Sequence, residues 1–235
     1  MSFLERLTSL FAPDDCLLCG REGSLLCAQC ATALCPPPGI CFGCGCQING
    51  VGCPACLQDS GLSSLAAAAR YTGVARALVA QLKFNGNQSA AGIMTRAMSA
   101  YVPEDCVIVH MPATAPHIRQ RGYDQAQLMV KRLQPPRMAQ RASVLARTGD
   151  KHQLGARRDE RLQQLQSSLR VTKPELVRGR RVLVVDDVLT TGSSLRAAAA
   201  SLLAAGASRV DGLVFAQAVD GLSKRGIIAS RRQAF

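Results

Sequence analysis

The spacing of apolar residues changes several times along the chain, and each spacing predicts a different element. Residues 74–84 and 195–205 repeat apolar positions at helical intervals. Short continuous apolar runs predict buried strands at residues 107–109, 182–185 and 210–215. Strands that alternate with helices are typical of a parallel sheet with helices on its faces. Residues 61–220 are therefore predicted to form one α/β domain.

The two ends of the chain depart from this pattern. Apolar residues between Phe3 and Phe11 recur at helical spacing and predict an amphipathic helix that ends at Pro13. This helix either docks on the body of the protein or adsorbs to a membrane. Residues 221–235 are basic and without periodicity, which predicts a mobile tail. No apolar run approaches the ~18 residues of a membrane span and no secretory signal is present, so we expect a cytoplasmic protein.

Charge is distributed unevenly. The chain has 235 residues, of which 48% are apolar, and a formal net charge of +12. Residues 119–181 alone contain 16 Lys and Arg against 5 Asp and Glu, a net +11. An excess of this size indicates a polyanionic partner, which is a phosphorylated metabolite, a nucleic acid or an anionic membrane.

Residues 1–60 hold ten of the eleven cysteines, and the stretch from Cys16 to Cys56 that contains them has too few periodic apolar residues to build its own core. Eight of these cysteines form four C-x2-C pairs: Cys16 with Cys19, Cys27 with Cys30, Cys41 with Cys44, and Cys53 with Cys56. Two such pairs complete a tetrahedral shell of four sulfurs around Zn²⁺. We expect a structural zinc module here, and the recurrence of the pairs disfavours a redox-active dithiol, which would stand alone.

The pairing of the cysteines has several solutions. Two ions bound sequentially, two bound in cross-brace fashion, or one ion with a degenerate second site all fit the spacing. We prefer the sequential pairing, with Cys16, Cys19, Cys27 and Cys30 around the first ion and Cys41, Cys44, Cys53 and Cys56 around the second. The second site is less secure because Cys35 and Cys46 compete for it.

Residues 186–194 carry the most specific signal. Asp186 and Asp187 follow the buried run 182–185, and the small polar residues Thr190, Thr191, Gly192, Ser193 and Ser194 lead into an alanine-rich helix. Ligands of open α/β sheets lie at the carboxyl ends of the strands. Backbone N–H groups and hydroxyls at a helix N-terminus bind phosphate. A 5′-phosphate therefore fits the loop.

The adjacent carboxylates require neutralisation, because buried like charges repel each other. Ribose hydroxyls together with Mg²⁺ meet this need. Two other interpretations are a Walker-B strand, which lacks its G-x4-G-K-[ST] partner in this chain, and a structural strand end without a ligand.

The whole segment resembles the 5-phosphoribosyl-1-pyrophosphate (PRPP) signature of type I phosphoribosyltransferases. With the cysteine pairs upstream, the chain resembles the ComF family (ComFC and GntX-type proteins), up to about Val219. The resemblance implies a type I phosphoribosyltransferase-like parallel sheet flanked by helices and preceded by a small zinc-binding module with four cysteine ligands per ion. It also implies PRPP or a related sugar phosphate as ligand, with Mg²⁺.

A second anion site is predicted at Arg119, Arg121 and Gly122, where two arginines lie beside a glycine at a helix start. Residues 119–125 resemble the family motif R-x-R-G-[FY]-N-Q, interpreted as the pyrophosphate loop. Asp124 replaces the usual Asn, and a carboxylate beside a polyanion is unexpected unless it faces Mg²⁺ or Arg119. Lys83 belongs to a segment that resembles the family's Lys-Phe-x-Gly-Asp. Residues 153–161 are either a lid over PRPP or a solvated helix face.

Three functions fit these features. In an enzyme, a nitrogen nucleophile would displace pyrophosphate from ribose, with Arg119 and Arg121 stabilising the leaving group and Asp186 and Asp187 orienting the sugar. The family resemblance instead implies a PRPP-binding protein of DNA uptake in natural competence, which contacts single-stranded DNA or competence proteins. A zinc module that recruits a helicase or a membrane channel is the third. No residue set identifies an acceptor.

Overall fold

The computed structural model describes residues 15–147 and 169–219. The helices are α1 (Pro54–Ser60), α2 (Gly73–Phe84), α3 (Ser89–Met98), α4 (Ala115–Arg121), α5 (Gln125–Arg132) and α6 (Ser193–Ala204), with short 3-10 turns at Cys30–Ala33, Ser99–Tyr101 and Pro174–Leu176. The strands are β1 (Ser64–Arg70), β2 (Val107–His110), β3 (Gln140–Ala142), β4 (Leu145–Arg147), β5 (Leu169–Val171), β6 (Arg181–Leu189) and β7 (Arg209–Gln217). The predicted opening helix, lid segment and basic tail lie outside the described residues.

Five parallel strands form the central sheet of the described region, in the order β1-β7-β6-β2-β3. Strand β6 lies in the middle, and its residues Val182 to Val185 are all buried because helices cover both faces. The predicted α/β fold and its three strands are confirmed. A separate antiparallel ladder, β4 with β5, brackets residues 148–168.

Two apolar cores lie on the two faces of the sheet. One core holds Leu183 and Leu213 of the sheet with apolar residues of α2, α3 and α5. The other holds Val184 and Val214 with the alanine-rich helix α6. Alanines at the sheet-facing positions of α6 permit a close approach to the strands, and Gly212 does the same from the sheet side. The sheet is therefore a buried middle layer.

The cysteine-rich segment wraps the edge of the sheet formed by β1. Cys16, Leu25 and Leu26 pack into the core beside α2 and α3. Cys41 and Phe42 pack into the core beside α6, on the other face. The backbone N–H of Arg70, at the end of β1, donates to the carbonyl of Cys35 between these halves. The segment therefore contacts both cores of the α/β domain.

Charged groups at the amino end of the sheet neutralise one another. Asp211 is 1% exposed and accepts hydrogen bonds from Nε of Arg181 at 2.6 Å, Nε of Arg209 at 3.1 Å and Oγ of Ser64 at 2.6 Å. This buried carboxylate thus has a structural partner set, as buried charges require.

Within the described parts of the chain, no helix has both the length and the apolar character needed to cross a bilayer.

Candidate functional site

Strand β6 extends beyond its neighbour β2 at the carboxyl end of the sheet. Pairing between them ends at His110 with Val185, whereas β6 continues beside β7 as far as Leu189. Asp186 and Asp187 occupy this extension. The acids were predicted at the strand's end, but the strand runs two residues further because β7 continues to pair with it.

The two carboxylates have different surroundings. Asp187 is 3% exposed, and its carboxylate forms an ion pair with the Lys83 ammonium at the end of α2. Asp186 is half-buried, and its Oδ1 accepts a hydrogen bond of 2.8 Å from the backbone N–H of Asp187. Burial, and then the neighbouring charge of Asp187, raise the pKa of Asp186 well above its usual range, while Lys83 opposes the rise. Asp186 is therefore the acid that most needs a cation.

The predicted phosphate loop is open to solvent on one side. Thr190 and Thr191 are exposed, and α6 begins at Ser193 directly after them. The Thr191 Oγ1 lies 3.0 Å from Oγ of Ser193 and accepts a 3.4 Å hydrogen bond from its N–H. Gly192 precedes the helix at φ +73°, a conformation that favours glycine. Hydroxyls thus cluster at the positive end of the α6 dipole.

Arg119 and Arg121 lie in the last turn of α4, and Gly122 ends that helix at φ +78°. The prediction that they start a helix is wrong, because the next helix, α5, begins only at Gln125. Arg119 is exposed, whereas Arg121 donates through Nη1 to Oε1 of Gln125 at 2.8 Å. The two arginines can therefore attract an anion by their charge, but they do not lie beside the unpaired backbone N–H groups of a helix N-terminus.

The acid at position 124 has a structural role. Asp124 caps α5, with Oδ1 accepting from the N–H of Gln127 at 3.0 Å. Its Oδ2 accepts from the N–H of Ala113 at 2.7 Å. An Asn at this position would offer only one acceptor oxygen for these two contacts. The structure therefore explains Asp124 by backbone contacts, and neither Mg²⁺ nor Arg119 is needed to account for it.

Three motif segments meet at this end of the sheet. Lys83 reaches Asp187 of β6, and the guanidinium carbon of Arg121 lies 5.8 Å from the ring centroid of Phe84. The hydroxyl of Tyr123 donates to the carbonyl of Leu82. The segments around residues 83, 121 and 187 are distant in sequence but adjoin in the fold. The motifs that the sequence singles out therefore form one region.

A cavity of about 370 Å³ lies beside residues 112–115. His110, Asp124 and Arg147 are among its polar lining residues, and Nε of Arg147 donates to the carbonyl of Pro112 at 2.9 Å. Burial lowers the pKa of His110, and the charge of Asp124 opposes that change. The neutral imidazole is therefore favoured in this cavity.

The first cysteine group matches the prediction. The sulfurs of Cys16, Cys19, Cys27 and Cys30 lie within 4.8 Å of one another. Hydrogen bonds to backbone groups, that of Cys27 first, lower the pKa of Cys16 to about 6. A zinc ligand must be a thiolate, so the lowered pKa favours Cys16 as a ligand. Four sulfur donors leave no open position, and the chemistry of the set fits structural zinc.

The second group differs from the predicted set in one member. Cys41, Cys44, Cys46 and Cys53 lie within 4.8 Å of one another, so Cys46 joins where Cys56 was expected. The N–H of Cys41 donates to the carbonyl of Cys46, closing a turn that brings the two sulfurs of Cys44 and Cys46 to 3.3 Å. The Cys56 thiol still interacts with those of Cys53, Cys41 and Cys44, and burial raises its pKa. Five cysteine sulfurs thus lie together at this site, whereas a tetrahedral zinc ion needs only four.

Comparison with known proteins agrees with these features. Residues 128–226 match the family described as the phosphoribosyl transferase domain. This stretch of the chain therefore resembles a phosphoribosyl transferase domain. With the cysteine groups that precede the domain, this match confirms the predicted resemblance to the ComF family.

Relatives with the same extent occur in enteric bacteria. The DNA utilization protein YhgH of Salmonella typhi is 29% identical over 86% of this chain and 96% of its own length. The protein of the same name from Escherichia coli K12 is also 29% identical, with the same coverage. Because the alignment covers 86% of this chain, it includes parts of both the cysteine-rich segment and residues 128–226.

Solved structures give weaker likenesses. Glutamine PRPP amidotransferase from B. subtilis, complexed with ADP and GMP, matches 55% of this chain and 26% of its own, with 19% identity and a TM-score of 0.38. A hypoxanthine phosphoribosyltransferase from Staphylococcus aureus matches 55% of this chain and 64% of its own, with 11% identity and a TM-score of 0.33.

The loop at residues 190–194 contacts a residue that the sequence did not single out. The ring of Phe42, from the second cysteine group, closes one side of Gly192 in the phosphate loop. A phenylalanine between two cysteines carries no sequence signal for a contact so far along the chain. Only the fold brings them together.

Proposed function

We propose that this protein binds PRPP at the loop of residues 190–194 and acts in the utilisation of DNA. The observation that carries the proposal is the open loop of hydroxyl residues between the central parallel strand β6 and the N-terminus of α6. That position binds phosphate in open α/β sheets. The 5′-phosphate of PRPP would lie there, and the ribose would extend toward Asp186.

Mg²⁺ would accompany PRPP at this site. Asp186 combines a half-buried carboxylate with a strongly raised pKa, so a nearby cation stabilises its ionised form. Magnesium prefers carboxylate and phosphate oxygens and usually keeps several waters. The residues present therefore fit the ion. It would supply charge neutralisation for the pyrophosphate group.

The basic residues would serve the pyrophosphate end of the ligand. Arg119 is exposed in the last turn of α4, and Arg121 is held beside Phe84 by Gln125. Arginine binds phosphate through paired N–H donors. If the bound PRPP reacts, the same residues would stabilise the leaving pyrophosphate, and a screen of bases and amines for pyrophosphate release tests that step. If no base or amine in the screen causes pyrophosphate release, the result favours PRPP binding without turnover.

The DNA role rests on the relatives and on the charge distribution. Their shared name is DNA utilization protein, and the net +11 over residues 119–181 suits a polyanion. We propose single-stranded DNA as the form that binds. The protein would hold it through its phosphates and not by base stacking, because aromatic residues are only 4% of the chain. A protein partner recruited by the zinc module is the alternative. We place the protein in the cytoplasm.

Equilibrium dialysis with labelled PRPP and Mg²⁺ tests the ligand. We expect saturable binding that ribose 5-phosphate and pyrophosphate each displace weakly, since each occupies only one part of the site. Displacement by pyrophosphate alone would move the site away from the loop at residues 190–194. Absence of saturable binding would overturn the proposal.

An oligonucleotide titration across salt concentrations tests the DNA role. Phosphate contacts give a log–log slope of about −0.7 per contact for single strands. We expect a steep slope and little preference for sequence. Undetectable affinity at low salt would remove direct DNA binding and leave the protein-partner alternative.

A further inference from the structure

Phe42 is held inside the second cysteine group. It lies between Cys41 and Cys44, is 1% exposed, and its N–H donates to the carbonyl of Val51 at 2.8 Å. A Cβ at Gly52 would lie 3.0 Å from Cε1 of the ring, so the backbone behind the ring is close-packed. The position of the ring is therefore fixed by the turn that carries the sulfurs.

The same ring fixes the phosphate loop. A Cβ at Gly192 would lie 2.5 Å from Cε2 of Phe42 and 2.6 Å from its Cδ2. Gly192 immediately precedes α6, and its φ of +73° sets the direction in which the helix begins. Since the first N–H groups of that helix are the phosphate donors, a shift of the ring changes the loop that binds phosphate.

A second contact holds this part of the cysteine segment against the sheet. Nε2 of Gln217, at the end of β7, donates to the carbonyl of Ile40 at 2.7 Å. The next residue, Ala218, donates its N–H to the carbonyl of Leu189 at 2.8 Å, directly before the loop. The segment before Cys41 and the start of the loop are thus joined through the end of one strand.

The first cysteine group provides an internal comparison. Cys16, Leu25 and Leu26 pack on the opposite face of the sheet, beside α2 and α3, whereas Phe42 packs with Leu195 of α6. The two groups thus share a chemistry but contact different cores. Only the second has a residue against the glycine of the phosphate loop among the contacts around Gly192.

We propose that zinc bound by the second cysteine group positions the phosphate loop through Phe42, so that this zinc and the sugar phosphate bind cooperatively. The proposal rests on PRPP binding at that loop and on zinc in that group. Coupling between two ligands is reciprocal. PRPP should therefore tighten zinc binding at the second group and leave the first group unaffected. Phe42 is a positioning residue, since it acts through Gly192.

Equilibrium competition for zinc with the wild-type protein is the primary test. A chelator selective for zinc over magnesium is titrated with and without saturating Mg²⁺–PRPP, and its zinc complex is followed optically. We expect two ions per chain, of which one binds at least about fivefold more tightly with PRPP, the lower end of typical coupling. The Cys44→Ser variant should lose the ion that PRPP affects, and Cys19→Ser the other one. Equal zinc affinities with and without PRPP would overturn the proposal.

Substitution of Phe42 tests the route of the coupling. Phe42→Ala should weaken PRPP binding by about tenfold or more, and Leu26→Ala, a buried residue beside the first group, should leave it within about twofold. If Phe42→Ala fails to fold, Phe42→Leu replaces it, with a smaller loss expected. If wild type binds PRPP and the Phe42 variants bind equally well, the coupling is wrong. If wild type itself binds no PRPP, the proposed function fails instead.

Discussion

Lys83 and Asp187 form an ion pair between the end of α2 and the central strand β6, beside the phosphate loop. The Asp187 side chain is 5% exposed and the Lys83 side chain 21% exposed. Water therefore solvates the ammonium in part, whereas the buried carboxylate relies on the ion pair for its stabilisation. Asp186 adds a second acid next to it in the chain. The pair therefore neutralises charge at the point where the sheet would meet a polyanionic ligand.

Removal of the ammonium should destabilise the fold strongly. Lys83→Met leaves Asp187 buried without a cation, and loss of one partner of a buried pair costs about 3–5 kcal/mol. Urea unfolding at neutral pH measures the difference. Lys131→Met is the control, since Lys131 is exposed on α5 and its loss should change the free energy of unfolding by less than about 0.5 kcal/mol. Equal stability of the two variants would contradict the structural role of the pair.

Asp186 should make stability fall as the pH rises. Its folded-state pKa lies well above the usual value of 3.8, so above that value the unfolded chain loses this proton while the folded chain still holds it. Unfolding then releases a proton and is favoured by rising pH, by about 1.4 kcal/mol for each unit of elevation. Asp186→Asn removes this effect and should stabilise the protein increasingly from pH 4 upward.

The matched control for that substitution is Asp105→Asn, because the side chain of Asp105 is 79% exposed. Unfolding free energies of both variants and wild type are compared at several pH values. A gain at Asp186 that does not grow with pH would show that the ionised carboxylate is already neutralised in the free protein.

Gly192 should tolerate no side chain. Gly192→Ala adds a Cβ at φ +73°, which costs about 1–2 kcal/mol, and also places it 2.5 Å from the Phe42 ring. Gly179→Ala has a similar φ of +69° but nothing within 4 Å, so it shares only the backbone cost. Thermal unfolding should show Gly192→Ala as the less stable of the two. Similar melting temperatures would mean that the ring moves away without cost.

The second cysteine group should retain zinc after either of two single substitutions. Three sulfurs, of Cys41, Cys44 and Cys53, belong to both the predicted and the observed set, and Cys46 or Cys56 supplies the fourth. Metal analysis should find two ions per chain in Cys46→Ser and in Cys56→Ser but one ion in the double variant. Loss of an ion in one single variant would identify that cysteine as the required ligand.

The sequence predicts the centre of the fold better than its edges. Residues 182–185 are continuously apolar because both faces of β6 are buried, and such runs are typical of central parallel strands. Strands β1 and β3 were missed: Ser64–Arg70 is rich in alanine, which has a low preference for strands, and Gln140–Ala142 is short and mostly exposed. Their pairing to neighbours in the sheet decides their conformation.

In the candidate site, the features set by local spacing were predicted, and the contacts between distant segments were not. The loop at residues 190–194 and the first cysteine group follow from local spacing, which backbone geometry converts directly into structure. The helix boundary at Arg121 was misplaced because the helix start signal lies upstream, where Pro116 occupies the first turn of α4. The contacts of Phe42 with Gly192 and of Lys83 with Asp187 join distant segments, and no local pattern predicts them.

Calorimetric titration with Mg²⁺–PRPP tests the central claim most directly. Wild type should give a saturable heat, and the double variant Asp186→Asn, Asp187→Asn, confirmed as folded, should bind at least about tenfold more weakly, because it lacks the acids proposed to face the ribose and the cation. The Asp105→Asn variant should match wild type. Equal heats from wild type and the double variant, or no heat from wild type, would contradict the assignment of this loop as a PRPP site.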